Sequence, residues 1–399
     1  MFTRGLITWC CAIGGLVTLL MVAPGQSASA GVLELDATFS GDGRRFVFEE
    51  VSATTAIDVR SGKTYAVGVD GDTGKVFVAR TDDDGKLDAS FSADGVARLT
   101  PPSGAYRIAG LWVDEDSRTY VAAQSGSTLT VARFTASGQL DEAFSGDGVR
   151  QLVGGAEGFW FDPNVIVDSA GRVVVAAMVE SATGSDVVVY RFLATGANDD
   201  SFSDDGLRRV NRGDEDWMDG VTVDASDRVL LGTDTVEAAG EVIRFTESGS
   251  LDTAFSGDGS ARVRLMPGRF SYPVGLAVGD DHTITVAATS GSNLYGSVRF
   301  RPKGILDTSY GDGGAIGIAC KCRVFDAHVI SGRVVLAGTR ADRTALVTRI
   351  GADATSLSVG TVDLYPSNER ETVGAVSWTG TKVLVGGVAF RQAYVARVT

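Results

Sequence analysis

Carboxylates crowded into one segment are the clearest candidates for acid–base chemistry in this chain. Residues 214–219 read Asp-Glu-Asp-Trp-Met-Asp. Two acids at a suitable separation suffice for glycoside hydrolysis, one as general acid and the other as base or nucleophile. The segment therefore keeps a carbohydrate-active or lyase-type enzyme as an alternative function, although that alternative rests on one loop.

Histidine and the known catalytic motifs add little support for an enzyme. His282 falls in a predicted turn beside Asp280 and Asp281, and His328 lies in or beside a predicted strand. The sequence has no nucleophile–base pair, metal-ligand cluster or phosphate-binding glycine loop at a diagnostic spacing. We therefore predict no catalytic residues and no bound metal.

Calcium is the one cofactor that the spacing of the acidic residues still allows. Calcium sites need several oxygens that converge on one point, usually with alternating aspartates. Asp70-Gly71-Asp72 and Asp82-Asp83-Asp84-Gly85 approach that spacing once each. The second alternative function is accordingly a calcium-stiffened structural protein of the cell envelope.

Two cysteines remain once a leader is removed, and they are separated by one residue. Cys320 and Cys322 read Cys-Lys-Cys. In an oxidising compartment they can form a small local disulfide, act as a redox pair or remain reduced thiols.

The strands that must position these groups are predicted from one repeated sequence motif, called the phrase below. It reads LDATFSGDG at 35, LDASFSADG at 87, LDEAFSGDG at 140, NDDSFSDDG at 198, LDTAFSGDG at 251 and LDTSYGDGG at 306. The aromatic position recurs at intervals that average about 54 residues, a period typical of β-propellers and related arrays. A seventh copy, in residues 351–363, has decayed.

Each repeat contains four short strands. In the third repeat, residues 164–168 (NVIVD) and 172–177 (RVVVAA) predict a hairpin whose second strand is buried on both faces. Second strands and third strands each recur seven times along the chain. The chain begins with a phrase and an outer strand and stops after a third strand, so the N-terminal strand can complete the last blade. We predict an all-β, closed seven-bladed propeller of four-stranded blades that forms a single domain over residues 31–399.

The phrase Leu-Asp-x-x-Phe-x-x-x-Gly, preceded by Arg-Phe-x-x-x-Gly, resembles the delta-60 repeat of bacterial exported proteins. The resemblance covers residues 33–312 and weakens after 350. Residues 275–289 (GLAVGDDHTITVAAT) are similar, more loosely, to propellers of the NHL and streptogramin-lyase type. The delta-60 resemblance implies the repeat but no particular activity.

The repeated residues predict a structural function for the phrase. We expect its aspartates to hold turns through backbone N–H groups, its aromatics to fill the space between blades and its last glycines to adopt positive φ. These residues include Asp36, Phe39, Gly43, Asp88, Phe91, Gly95, Asp141, Phe144, Gly148, Asp252, Phe255 and Gly259.

Among the segments of the repeat, the loops between one blade's outer strand and the next blade's inner strand differ most in sequence from copy to copy, and they carry large side chains. We expect them to open on one face around the channel mouth and to bind a protein, peptide or glycan. The candidate ligand-binding residues are Tyr106, Arg107, Trp160, Asp162, Asp214, Asp216, Trp217, Arg269, Tyr272, Tyr365 and Arg370. The competing interpretation is that Trp160 and Trp217 plug the channel or pack between blades.

The N-terminus and the charge predict where the protein works. Arg4, an apolar segment over residues 6–22 and Ala28-Ser29-Ala30 indicate a secretory signal peptide, residues 1–30, cut after Ala30. The formal net charge of −14 disfavours nucleic acid and anionic lipid as partners. We therefore predict a secreted, periplasmic or envelope protein that is not inserted in the membrane, favoured as a monomer, whose main function is non-enzymatic binding or scaffolding.

Overall fold

The chain folds into seven four-stranded antiparallel blades, so the predicted seven-bladed propeller is confirmed. A computed structural model describes residues 27–32, 34–48, 51–102, 104–106, 109–153, 163–181, 184–213, 215–235, 238–291, 293–340, 344–362, 372–379, 381–389 and 392–398. All the regular structure in these ranges is β-strand. They contain no helix of the length and apolar character needed to cross a membrane.

The first three blades use consecutive strands of the chain. Blade 1 contains β3 (Val51–Arg60), β4 (Lys63–Asp70), β5 (Val76–Thr81) and β6 (Val96–Leu99). Blade 2 contains β7 (Ala109–Val113), β8 (Thr119–Ser125), β9 (Thr128–Phe134) and β10 (Val149–Val153). Blade 3 contains β11 (Asn164–Val167), β12 (Val173–Ser181), β13 (Gly184–Phe192) and β14 (Leu207–Val210).

Blades 4 to 6 follow the same plan. Blade 4 contains β15 (Asp216–Val223), β16 (Val229–Thr235), β17 (Ala238–Arg244) and β18 (Ser260–Arg262). Blade 5 contains β19 (Tyr272–Val278), β20 (Ile284–Ser290), β21 (Leu294–Phe300) and β22 (Ala315–Ala319). Blade 6 contains β23 (Cys322–Ile330), β24 (Arg333–Arg340), β25 (Ala345–Ile350) and β26 (Ser356–Val362).

Blade 7 joins the two ends of the chain. Its strands are β27 (Thr372–Trp378), β28 (Val383–Ala389) and β29 (Gln392–Val398), and its outer strand is β2 (Arg44–Phe48). Arg44 pairs with Ala396 in the antiparallel ladder of β2 and β29. The N-terminal strand therefore closes the ring, as the sequence predicts, and covers the edge of β29.

One further strand lies outside the seven-blade plan. β1 (Ser27–Val32) runs parallel to β26 on the outer edge of blade 6, with Ser27 opposite Ser356 and Val32 opposite Thr361. The predicted cleavage point after Ala30 falls inside β1, so cleavage would remove the first part of this strand. The rest of the predicted leader, residues 1–26, lies outside the described residues.

The core consists of one apolar cluster at each blade interface. The cluster between blades 1 and 2, for example, contains Tyr65 and Phe91 from blade 1 and Val121 and Phe134 from blade 2. The second and third strands are buried almost throughout because each faces a neighbouring blade on both sides. Six of the seven clusters contain the aromatic residue of a repeat phrase.

The phrase itself forms a wedge between blades. The Phe91 ring lies against Gly138 in the next blade, where an added Cβ would come within 3.0 Å of the ring. The backbone N–H of Ser92 also donates to the carbonyl of Ser137, across the same interface. Asp88 accepts the backbone N–H of Ser90, two positions on. The phrase thus links each blade to its neighbour.

An arginine on the third strand holds the phrase in place, a role that the sequence analysis did not assign. In blade 4, Arg244 Nε lies 2.8 Å from Asp252 Oδ2, and the guanidinium carbon lies 4.5 Å from the centroid of the Phe255 ring. Arg244 Nη1 donates to the carbonyl of Pro302 in the next blade. The same set recurs with Arg80, Arg133, Arg191, Arg299 and Arg397.

Candidate functional site

The propeller has two distinct ends because its strands alternate in direction. One end, called the loop end below, has the loops that connect second to third strands and fourth strands to the next blade. The other, called the turn end, has the hairpin turns between first and second strands and the repeat phrases. A cavity of about 840 Å³ along the propeller axis is lined by the first strands of all seven blades.

The loop end carries an exposed aromatic group at blades 4 and 5, called the loop-end patch below. Trp217 and Tyr272 stand near the beginnings of the neighbouring first strands β15 and β19, with 38% and 36% of their surface exposed. The loop before β19 adds Met266, Arg269 and Phe270, of which Phe270 is 57% exposed. Large exposed apolar side chains that share one surface are typical of sites that bind other molecules.

Backbone contacts between blades 4 and 5 fix the loop that presents Phe270. The carbonyl of Ser271 accepts the N–H of Gly240, and Ser271 Oγ accepts the N–H of Leu265. A Cβ on Gly240 would lie 2.4 Å from the Ser271 oxygen and 2.5 Å from Pro273 Cδ, so only glycine fits there. The patch is therefore held on a rigid frame, which lowers the ordering cost of binding.

Asp216, one of the predicted ligand-binding acids, is buried rather than displayed. Its Oδ2 accepts the N–H of Arg212 at 2.7 Å, whereas its Oδ1 is buried without a hydrogen-bond partner among the residues that the structure describes. Burial raises the pKa of Asp216 to about 6, and the nearby Asp186 and Glu241 carboxylates add to the rise. Its carbonyl accepts Ser185 Oγ of blade 3, so Asp216 stabilises the interface between blades 3 and 4.

Two other carboxyls meet beside Trp217. Burial raises the pKa of Asp234, and a side-chain hydrogen bond with Asp219 partly offsets that rise. Asp234 lies opposite Trp217 in the strand pair, and Asp219 lies at the bulge that follows Met218. Carboxyls that hydrogen-bond to each other are closer than the 5 Å or more that glycosidases keep between their acids. This pair therefore does not have the geometry of a glycosidase.

The channel contains polar side chains that bridge neighbouring first strands. Asp58 Oδ2 accepts the N–H of Val113, and Asp326 Oδ2 accepts the N–H of Val376. His328 Nδ1 accepts the N–H of Trp378 at 2.8 Å.

Desolvation by burial is the largest cause of the pKa shifts of Asp326 and His328. Burial raises the pKa of Asp326 to about 6, even though two backbone N–H groups stabilise its charge. Burial lowers the pKa of His328, and the carboxylate of Asp58 opposes that shift. Asp326 and His328 each accept a backbone N–H of blade 7, from Val376 and Trp378 respectively, so both side chains link blade 6 to blade 7.

The structure separates the predicted loop residues into three groups. Trp217, Arg269 and Tyr272 are exposed and lie in the loop-end patch. Tyr106 is only 2% exposed and packs in the core between blades 1 and 2, which corrects the expectation that its ring faces a ligand. Asp216 is also buried, and the other six lie outside the described residues, namely Arg107, Trp160, Asp162, Asp214, Tyr365 and Arg370.

The predicted cysteine and calcium groups have local partners. Cys320 and Cys322 form a disulfide at the start of β23, with their Cα atoms 5.4 Å apart. Asp70 accepts the N–H groups of Asp72 and Thr73 and so caps its own turn. Among the residues that the structure describes, no three acidic, histidine or cysteine side chains are grouped as metal ligands.

Comparisons with known proteins identify the fold alone. No family model matches this sequence, and no curated protein does. The resemblance to the delta-60 repeat therefore stays a prediction. Solved structures with a similar fold include Raptor from Chaetomium thermophilum, at 8% identity and a TM-score of 0.53 over 88% of this chain. This chain spans 29% of the length of that Raptor chain.

Two further solved structures are similar to this chain. U3-55K matches 89% of this chain and 98% of its own, at 8% identity and a TM-score of 0.53. A puromycin hydrolase matches 92% of this chain and 61% of its own, at 12% identity and a TM-score of 0.41. The likeness to Raptor and U3-55K shows the fold alone and, at 8% identity, transfers no activity.

Proposed function

We infer that this chain is an exported, non-enzymatic binding propeller that holds a protein partner on the loop-end patch. The observation that carries this proposal is the exposure of Trp217, Phe270 and Tyr272 together on a frame fixed by blades 4 and 5. Aromatic residues, methionine and arginine are enriched at protein interfaces, and all of these types occur in the patch. Export rests on the predicted leader.

The acidic residues around the patch support binding rather than turnover. Asp216 is buried in the blade interface, and the side chains of Asp219 and Asp234 are hydrogen-bonded to each other. Arg269 is exposed in the loop-end patch, and a charge there favours a partner of opposite charge, because electrostatic complementarity selects partners and speeds association more than it adds affinity.

A direct test compares partner affinity in matched variants. The 399-residue chain is used to capture partners from envelope and medium extracts, and each captured protein or glycan is purified and its Kd measured. We expect Trp217→Ala with Phe270→Ala to weaken the Kd at least tenfold. Ile305→Ala serves as the control, because Ile305 is 60% exposed and lies at the turn end. Equal affinity for all three proteins would refute the loop-end patch as the binding surface.

A further inference from the structure

Blade 6 lacks the phrase that every other blade places beside its third-strand arginine. Arg349 stands where Arg244 stands in blade 4, because Thr348 pairs with Val359 as Ile243 pairs with Ser260. The segment Gly351–Ser358 that follows is six residues shorter than Thr246–Gly259. Blade 6 therefore has the arginine without the Leu-Asp-x-x-Phe segment.

The missing segment leaves Arg349 without a counter-charge among the described residues. Its Nε and Nη2 atoms are buried and have no hydrogen-bond partner in the described part of the chain. Burial lowers the pKa of Arg349, and no charge on a described residue contributes to the shift. Asp353, the nearest acid in sequence, has its carboxylate hydrogen-bonded to the N–H and hydroxyl of Thr355. Arg349 as a whole is half-buried, but its buried guanidinium nitrogens lack an anion, so the site favours binding of a carboxylate.

A second cation faces the same space. In blade 1 the first residue of the second strand contacts the phrase aspartate, since Lys63 Nζ lies 3.0 Å from Asp88. In blade 7 the residue just before the second strand does so, since Lys382 Nζ lies 3.8 Å from Asp36. Arg333 opens the second strand of blade 6, and its guanidinium carbon lies 5.8 Å from the centroid of the Trp378 ring.

A cavity of about 730 Å³ lies between these two arginines and blade 7, lined by Arg333, Arg349, Leu357 and Trp378 among others. Its volume is in the range of ligand sites in proteins, about 300–1,000 Å³. The apolar cluster between blades 6 and 7 contains Trp378 and Tyr394 but, among the described residues, no phrase aromatic. The site thus offers two cations for a carboxylate and an apolar wall for an aromatic ring, and Asp353, which also lines it, has its carboxylate bound to Thr355.

We propose that this cavity binds a peptide segment of a partner protein that carries an aspartate and, three residues later, a phenylalanine. The carboxylate contacts Arg349 and Arg333, and the aromatic ring enters the space between blades 6 and 7, as the chain's own phrases do at the six other interfaces. A second copy of this chain does not supply the segment, because Phe39, Phe202 and Phe255 and their counterparts are already buried. The site lies at the turn end and is independent of the loop-end patch.

The probe is a fluorescent ten-residue peptide with the sequence of residues 250–259, Ser-Leu-Asp-Thr-Ala-Phe-Ser-Gly-Asp-Gly, titrated with the 399-residue chain. We expect saturable binding with one peptide per chain. Changing the peptide's Leu-Asp aspartate to asparagine, or its phenylalanine to alanine, should each weaken binding at least tenfold. Arg349→Gln in the protein should have a similar effect. Arg323→Gln, an exposed arginine of the same blade outside the cavity, should bind like the unmodified chain.

A second variant tests the same idea in the absence of peptide. Residues 351–358 are replaced by the sequence of residues 246–259, which restores the phrase to blade 6. The restored phrase should occupy the cavity, abolish peptide binding and raise the melting temperature. The proposal is overturned if the peptide binds the Arg349→Gln variant as well as the unmodified chain. It is also overturned if the peptide does not bind the unmodified chain, or if a folded chain with the restored phrase still binds it.

Discussion

The Nε atom of Arg191 lies 2.6 Å from Oδ2 of Asp199, and both side chains are buried between blades 3 and 4. Burial would raise the pKa of Asp199, but hydrogen bonds from Ser201 and Arg191 outweigh it and lower the pKa. Arg191 also donates to the carbonyl of Glu247 in blade 4. One ion pair thus fixes the phrase within its blade and connects it to the next blade.

Breaking this pair on one side should be strongly destabilising. Asp199→Asn leaves Arg191 as an uncompensated buried cation, so we expect a loss of about 3 kcal/mol in the free energy of unfolding at pH 7. Urea denaturation measures the loss. Asp147→Asn is the matched control, because Asp147 is exposed and only caps its own turn. Similar losses in the two variants would contradict a special role for the pair.

The stability lost in the Asp199→Asn variant should depend on pH. Because the pKa of Asp199 is lower in the folded state than its ordinary 3.8, the ion pair contributes fully above that value. Its contribution is lost as the pH falls through the folded pKa. The stability difference between the unmodified chain and Asp199→Asn should therefore be largest near neutral pH and shrink below about pH 4. Unfolding curves at several pH values test this.

Asp216→Asn should stabilise the protein, whereas Asp199→Asn should destabilise it. The folded pKa of about 6 exceeds the ordinary 3.8, so the unfolded chain loses this proton first, and stability falls as the pH rises between the two values. Removing the charge also removes repulsion from Asp186 and Glu241. We expect the variant to be more stable than the unmodified chain by about 2 kcal/mol above pH 6, with no gain near pH 4. A variant that is less stable at pH 7 would show that the charge is needed.

His328 should titrate below its ordinary pKa of 6.5 because burial disfavours the imidazolium. The neutral ring accepts the N–H of Trp378, so this contribution to stability is present above pH 6.5 and is lost as the pH falls through the folded pKa. NMR titration of the imidazole signals, assigned with a His282→Gln variant, measures the value. Asp58→Asn should lower the His328 pKa further, because the carboxylate of Asp58 favours the charged ring. An unchanged His328 pKa would exclude this electrostatic interaction with Asp58.

The disulfide between Cys320 and Cys322 should contribute little to stability. It closes a ring with one residue between its cysteines, and the entropy removed from the unfolded chain grows with ring size. We expect the Cys320→Ser/Cys322→Ser double variant to lose at most about 1.5 kcal/mol. Thermal unfolding with and without reductant measures the loss, and a much larger one would indicate that the bond holds more than its own turn.

The sequence was informative wherever a repeated pattern specifies local geometry. The phrase spacing predicts the seven blades, and the strand count predicts that the segment containing Arg44 completes the blade of Tyr394. These predictions hold because strand alternation and turn residues act over a few positions, and the repeat presents the same evidence several times. The unequal loops offered no such repetition, and Tyr106 and Asp216 were interpreted as exposed although both are buried.

What the sequence determined by itself is the class of fold, the blade number and the closure of the ring. The tertiary structure decided which side chains meet across blade interfaces, since Arg191 contacts a carbonyl in the next blade, more than fifty residues away. The tertiary structure also decided that the decayed phrase of blade 6 leaves a cavity. In the sequence the shortened segment is only a missing pattern, whereas in the folded ring its place is a cavity beside blade 7 that Arg349 lines. Exposure and charge balance depend on neighbours distant in sequence, and only the folded ring brings those neighbours together.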